Sequence, residues 1–332
     1  MSPRLTLALN GGGLALPESG TIAVFHPRGD ADLTNLPTER AVLIQPLRPD
    51  HDALSALGYH CVTDTDAATG RFAASLIYLP RSKAQARGLI AAAATLTDGF
   101  LMIDGQKTDG IDSLMREVKK RAPLIGSLSK AHGKMCWLAA DSSDWSDWAV
   151  ETSQVDDIFS TVPGVFSADG IDPASKMLAD HLPEKLGKCV ADLGAGWGYL
   201  SARVLERENV RQIQLVEADN TALSCARANI ADARAHFHWE DATTWQSPDR
   251  FDAIVMNPPF HIERRANPAL GRAFVVAAAR LLAPSGQLWM VANRHLAYEA
   301  TLAEMFGEVQ EVAGDNRFKI LRGARPTRPR RL

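Results

Sequence analysis

The chain has 332 residues, 46% hydrophobic, 23% charged and 7% aromatic, enough to bury two cores of ordinary size without disulfide or metal staples. Lys plus Arg number 36 against 39 Asp plus Glu, a formal net charge of −3, which excludes a histone-like coat and leaves only local contacts with a polyanion. The four cysteines, Cys61, Cys136, Cys189 and Cys225, form no C-x-x-C pair. A disulfide framework, a zinc ribbon and a thiol-redox motif are therefore disfavoured, and free thiols in a reducing cytoplasm are expected. The opening M-S-P-R-L-T-L-A-L-N-G-G-G loses its apolar run early, and about 18 apolar residues never run together, so neither secretion nor membrane insertion is expected.

In chain order, the glycines at 11–13 precede Pro17 and no convincing helix, which predicts a turn rather than a phosphate cradle. Strands and helices then alternate. A-V-L-I-Q-P-L, Y-H-C-V-T-D, F-A-A-S-L-I-Y-L-P, G-F-L-M-I-D-G and K-M-C-W-L-A-A read as strands, with helices at 49–57, 82–96 and 111–122 between them. D-S-S-D-W-S-D-W at 141–148 has the composition of a connector and predicts a boundary between domains 1–150 and 151–332. The second half repeats the rhythm. K-C-V-A-D-L-G, Q-I-Q-L-V-E-A, A-H-F-H-W-E, F-D-A-I-V-M-N and G-Q-L-W-M-V-A-N read as strands, with helices at 200–208, 221–230 and 267–282. Such alternation predicts parallel β-α-β units and a doubly wound α/β sheet in each half.

The halves also resemble each other: F-A-A-S-L-I-Y-L-P-R at 72–81 lies over F-D-A-I-V-M-N-P-P-F at 251–260 without a gap. Two tandem copies of one Rossmann-like fold are expected. Where the second copy has Asn257, Pro258, Pro259 and Phe260, the first has Tyr78, Leu79, Pro80 and Arg81. The first copy keeps the strand and loses its chemistry.

Chemistry concentrates in the second half. V-A-D-L-G-A-G-W-G-Y-L-S at 190–201 places an acid at a strand end before three alternate glycines and a helix, a pattern that lets backbone approach a ligand closely. Taken alone it suits a dinucleotide as well as a nucleoside. Glu217 ends the next strand, where a carboxylate accepts hydrogen bonds from ribose hydroxyls, and Asp241 follows a further strand, where it can meet an adenine amino group. N-P-P-F directly follows an apolar strand; its prolines remove two N–H donors and stiffen an extended backbone. The Asn257 side-chain oxygen and the Pro258 carbonyl then form an acceptor pair for an exocyclic NH₂, with Phe260 as a stacking face. His236 and His238 alternate on one strand without a third ligand at useful spacing, so a structural role and no metal are expected.

With D-x-G-x-G-x-G, two strand-end acids and N-P-P-F in this order, residues 160–322 resemble a class I S-adenosylmethionine-dependent methyltransferase. The resemblance implies Asp192, Gly194 and Gly196 around the methionine part of the cofactor, Glu217 on its ribose, and Ala218 and Asp241 at its adenine. N-P-P-[FY] belongs to enzymes that methylate planar amino nitrogens: guanine N2, adenine N6 or the glutamine amide. P-G-V-F-S-A-D-G-I-D at 163–172, N-P-P-F-H, V-A-N at 291–293 and R-F-K at 317–319 narrow the resemblance to the bacterial ribosomal small-subunit methyltransferase C family. Its members methylate guanine N2 of 16S ribosomal RNA and have a degenerate N-terminal half.

That family implies a catalytic set of Asn257, Pro258 and Phe260, with Phe166 lining the cofactor or base pocket. Asp172 before Pro173 reads as a helix cap. Arg264, Arg265, Arg317 and Lys319 are expected on RNA phosphates, the last two within a basic tail running to Arg331 that has no acid. I-E-R-R-A-N after His261 departs from the family's usual short D-G stretch. A monomer is expected, with the first half positioning RNA or supporting folding. Three rivals are a protein glutamine methyltransferase, an NAD-dependent oxidoreductase, which leaves N-P-P-F and Asp241 unused, and a non-catalytic RNA-binding assembly factor, which has no need of an intact second copy.

Overall fold

The computed structural model describes residues 3–259, 261–262, 265–266 and 268–327, with 261–262, 265–266 and 268 as backbone alone. By its contacts the chain forms two units, Met1–Thr152 with Val162–Gly164 and Ser153–Thr161 with Val165–Leu332. The first contains α1 (Arg4–Leu9), β1 (Ile22–Phe25), β2 (Ala41–Ile44), α2 (Arg48–Ala56), β3 (His60–Val62), β4 (Phe72–Tyr78), α3 (Lys83–Leu96), β5 (Thr97–Gln106), α4 (Ile111–Arg121), β6 (Gly126–Lys130) and β7 (Gly133–Ala139). The second begins with β8 (Ser153–Val155), β9 (Phe159–Thr161), α5 (Pro173–His181), β10 (Cys189–Leu193), α6 (Tyr199–Leu205), β11 (Gln212–Glu217), α7 (Asn220–Asn229) and β12 (Ala235–Trp239). It continues with β13 (Phe251–Met256), β14 (His261–Ile262), β15 (Arg265–Ala266), α8 (Pro268–Leu281), β16 (Leu282–Asn293), α9 (Glu299–Met305), β17 (Phe306–Gly314) and β18 (Phe318–Pro326).

Each unit holds one seven-stranded sheet, ordered β3-β2-β1-β4-β5-β7-β6 in the first and β12-β11-β10-β13-β16-β18-β17 in the second. The two orders are the same permutation. In both, five strands run parallel and the last two join antiparallel, as the β16–β18 and β5–β7 pairings illustrate. The repeat extends to a defect. Phe72 pairs with Thr97, then the register slips before Ala74; Phe251 pairs with Leu282 and the register slips before Ala253. The expected tandem Rossmann-like fold is what the chain adopts. Central strands are covered on both faces, which is why they read as unbroken apolar runs: all four β1 residues are buried, as are Val190 to Leu193 of β10.

Two stretches differ from their compositional reading. D-S-S-D-W-S-D-W is not a free connector, because Trp145 and Trp148 are buried in the first unit's core with ring centroids 5.0 Å apart. Most of the basic stretch, Phe318–Pro326, is the interior strand β18 between β16 and β17. Its apolar residues Phe318, Ile320 and Leu321 are buried and outweigh the charges between them. Arg328, Arg330 and Arg331 lie outside the described residues. Among the described residues no helix is long and apolar enough to cross a membrane.

The first unit closes around a buried ion pair. The Arg4 guanidinium, at the start of α1, donates to both carboxylate oxygens of Asp104 (2.5 and 3.1 Å) and to the Lys130 carbonyl. Arg4 is 1% and Asp104 3% exposed. Removing one partner strands the other charge in a dry interior, a loss of about 3–5 kcal/mol. Arg4→Ala is therefore expected to lower the urea stability of this unit by about that amount, and Arg4→Met with Asp104→Leu to recover most of it.

Candidate active site

The glycine turn grows from the carboxyl end of β10. Gly194, Gly196 and Gly198 have φ of +77°, +55° and +95°, a left-handed region that side chains with Cβ avoid. Gly194 and Ala195 donate their N–H groups to the Val216 carbonyl at the end of β11 (2.8 and 3.2 Å). A Cβ on Gly198 would lie 2.8 Å from Ile230 Cδ1, so this position is glycine for close packing. A Cβ on Gly196 would meet nothing within 4 Å: the turn stands open there.

Glu217 fastens the turn from the neighbouring strand. Its Oε2 accepts from Gly196 N–H (2.7 Å) and its Oε1 from Asp219 N–H (2.9 Å). A carboxylate offers about four acceptor directions, so it can still take hydroxyl donors from a ligand. Asp192 behaves differently. It is wholly buried on β10, with Oδ2 accepting from Ser201 Oγ (2.7 Å) and Oδ1 without a partner among the described residues. Burial pushes the Asp192 carboxyl up to about 7, with Ser201 opposing and the Glu217 charge adding to the rise. Desolvation also carries Glu217 up to about 7, against the pull of its backbone donors. An open cradle, an orphaned buried acceptor and a strand-end carboxylate fit a cationic, hydroxyl-bearing ligand.

Ala218 and Asp241 follow adjacent strands, since Glu217 pairs with Trp239 in the sheet. The Ala218 carbonyl accepts from Trp239 Nε1 (2.8 Å), and Asp241 Oδ1 accepts from the backbone and hydroxyl of Thr243 (2.8 and 2.7 Å). Phe166 is 58% exposed. Its carbonyl is held by Trp197 Nε1 from the glycine turn (2.9 Å), and Trp197 rests on Phe159 and Tyr199.

Asn257 follows β13. Both its amide donors are used: Nδ2 reaches Asp172 Oδ2 at 3.0 Å and Ser175 Oγ at 2.9 Å. The amide oxygen has no hydrogen-bond partner among the described residues. Pro258 is buried and Pro259 exposed. Asn257, Asp172, Ser175, Phe166 and the turn from Gly194 to Trp197 line one pocket. Asp172 also caps α5, accepting from Ser175 N–H.

Other expected residues fall elsewhere. Phe260 and Arg264 lie outside the described residues, as does the Arg265 side chain. Arg317 is exposed and lies over the Phe318 ring at 4.7 Å. Lys319 is placed differently from its expected role on phosphate: it is 4% exposed and its ammonium is tied to Glu299 (2.5 Å). His238 bonds Gln214 (2.6 Å) and packs on Trp245, and no metal-holding cluster occurs among the described residues. Ser175, Ser201 and Trp197 were not singled out from sequence. Only the nine-residue spacing of Ser201 from Asp192, one turn into the following helix, signalled one of them.

The first unit carries the same frame without the site. Gln45, which follows β2 as Glu217 closes β11, accepts from Leu47 N–H with Oε1 and donates to the Pro27 carbonyl with Nε2. A glutamine suits this slot because the facing loop offers a carbonyl where the second unit offers an N–H.

Fold and pocket together define a methyltransferase, and the methyltransferase small domain family model matches residues 156–322. The chain belongs to the ribosomal RNA small subunit methyltransferase C family. Relatives of that name are 31% identical in Shewanella halifaxensis, covering 74% of this chain and 75% of the relative, and 30% identical in Shewanella loihica, covering 76% and 77%. The fold matches that of the T. thermophilus 16S rRNA N2 G1207 methyltransferase, solved with AdoMet and guanosine, at a TM-score of 0.79 and 24% identity over 98% of this chain and 92% of that one.

The raised Asp192 carboxyl has a consequence for the ligand-free protein. Between the ordinary carboxylate pKa and about 7 the folded state holds a proton that the unfolded state has released, so stability falls as pH rises through that window. Asp192→Asn is expected to flatten this fall by roughly 1 kcal/mol per pH unit, read from urea unfolding of both proteins between pH 5 and 7.

Proposed function

We propose that the protein transfers a methyl group from S-adenosylmethionine to the exocyclic N2 of a guanine in 16S ribosomal RNA, acting as a monomer in the cytoplasm. The observation that carries this reading is the Asn257 amide, whose NH₂ is held by Asp172 and Ser175 so that its oxygen is free in a pocket shared with the glycine turn. A site that must grip an amino group needs acceptors, and here the acceptor end of the amide is the available one. Family membership and the names of the relatives support a small-subunit ribosomal RNA substrate.

S-adenosylmethionine supplies a methyl group already activated by its sulfonium. The chain's own work is therefore alignment and exclusion of water. Gly196 leaves room beside the turn, Glu217 takes ribose hydroxyls, and Asp192, with Ala218 and Asp241 further along the strand ends, completes the binding edge. Asn257 Oδ1 and the Pro258 carbonyl each accept one hydrogen of the guanine amine, which turns the nitrogen lone pair out of conjugation. As the N2–CH₃ bond forms, the S–CH₃ bond would break with its electron pair staying on sulfur, so that the neutral thioether S-adenosylhomocysteine leaves; the strongly acidic ammonium on N2 then loses its proton to water, so no side chain need act as a base. Phe166 and Phe260 provide faces for the planar groups. A paired guanine does not present N2 in line, so the target is unpaired or flipped.

Arg264, Arg265 and the exposed Arg317 are assigned to RNA phosphates. The first unit positions RNA or supports folding. Its closed Gln45 frame argues against a second catalytic centre.

Asn257→Ala is expected to lower kcat by about 100- to 1,000-fold while cofactor affinity by calorimetry stays near wild type. Mass spectrometry of nucleosides from the labelled RNA should show N2-methylguanosine; N6-methyladenosine, or undiminished turnover by the variant, would overturn the assignment.

A further inference from the structure

We propose that Asp172 and Ser175 are positioning residues that set which end of the Asn257 amide faces the substrate. The inference rests on the proposed amine methylation and adds residues to its machinery. An asparagine amide has a donor end and an acceptor end of nearly equal shape. Turned one way it receives an amine; turned the other it confronts NH₂ with NH₂. Nothing within N-P-P-F chooses between the two.

The choice comes from α5. An ionised carboxylate only accepts hydrogen bonds, so Asp172 Oδ2 at 3.0 Å takes the NH₂ end of Asn257 and rejects the oxygen end. Ser175 Oγ at 2.9 Å receives the other proton. The carboxylate is itself held in place. The same Oδ2 accepts from Ser175 N–H at 2.8 Å, with Asp172 at the N-cap and Pro173 beginning the helix. One oxygen thus starts a helix and orients an amide 85 residues further along the chain. Capping alone accounts for the first of these contacts and not for the second, nor for the place of Asp172 and Ser175 in the pocket wall beside Asn257.

The two roles are separable by substitution in the full-length protein. Ser is as good an N-cap as Asp, but its side chain stops short of Asn257. Asn caps as well and can put an amide oxygen where Oδ2 now lies. Asp172→Ser is expected to lower kcat about 10- to 100-fold, with the melting temperature, the calorimetric affinity for S-adenosylmethionine and the KM for RNA near wild type. Asp172→Asn should return kcat to within about threefold of wild type, since one charge-assisted bond becomes a neutral one in the same direction. Ser175→Ala, which keeps the capping carboxylate, should lower kcat about fivefold, the worth of one ordinary hydrogen bond. In an Asn257→Ala background neither Asp172→Ser nor Ser175→Ala should lower kcat further.

Full turnover by Asp172→Ser would overturn the inference. So would an equal loss with and without Asn257, or an Asp172→Asn enzyme as slow as Asp172→Ser, which would assign the effect to charge. If Asp172→Ser fails to fold, Ser175→Ala with and without Asn257 decides the matter alone. The nucleoside methylated by the wild-type protein tests the proposed reaction separately: another product there would overturn the reaction, whereas the ratios among variants test the orientation of Asn257.

Discussion

The hydrogen bond from Gly196 N–H to Glu217 holds the second unit's site together. A turn of three glycines has too many conformations to serve as a binding surface unless something outside it removes them. The Val216 carbonyl and the Glu217 carboxylate do so from the neighbouring strand, and Trp197 extends the same turn to the Phe166 carbonyl. The pocket wall is therefore a product of sheet order. Because β10 lies between β11 and β13, the glycine turn is flanked by Glu217 on one side and Asn257 on the other.

The frame has a cost that a ligand can offset. Carboxyls at Asp192 and Glu217 are both pushed up to about 7 by loss of water, and Asp192 keeps an acceptor without a partner among the described residues. Such groups weaken a fold that has no use for them. Their persistence at the end of two adjacent strands fits a site whose occupant brings hydrogen-bond donors and positive charge.

The two units separate architecture from chemistry within one chain. Strand order, the antiparallel last pair and even the slip after the fourth strand's first residue are shared. What differs is the polarity of a few contacts at the strand ends. Glu217 receives an N–H where Gln45 gives one to a carbonyl, and Asn257 stands where the first unit has Tyr78. Arg4, at the head of α1, binds Asp104 at the end of β5, whereas Asp172, at the head of α5, binds Asn257 after β13. In each unit a polar side chain at the start of a helix ties that helix to a distant part of the chain.

Much of this was legible in order along the chain. Glycines at 194, 196 and 198, acids at 192 and 217, and N-P-P-F are short-range patterns, because backbone conformation and strand ends impose residue types over a few positions. The tandem fold was legible for a related reason: buried parallel strands must be apolar throughout, so β4 and β13 could be laid over each other. Contacts that depend on register and packing were not. The positive charge of Lys319 was visible in the sequence, but its inward direction in β18 and its pairing with Glu299 follow from the sheet that surrounds it. The tryptophans of 141–148 looked like part of a polar connector until a core was there to receive them. The amino acids by themselves determined the kind of chemistry available, since reactive groups and glycine turns are local properties. Only the tertiary structure decided which end of Asn257 is presented, because the group that chooses it lies 85 residues away in sequence and a hydrogen bond's length away in space.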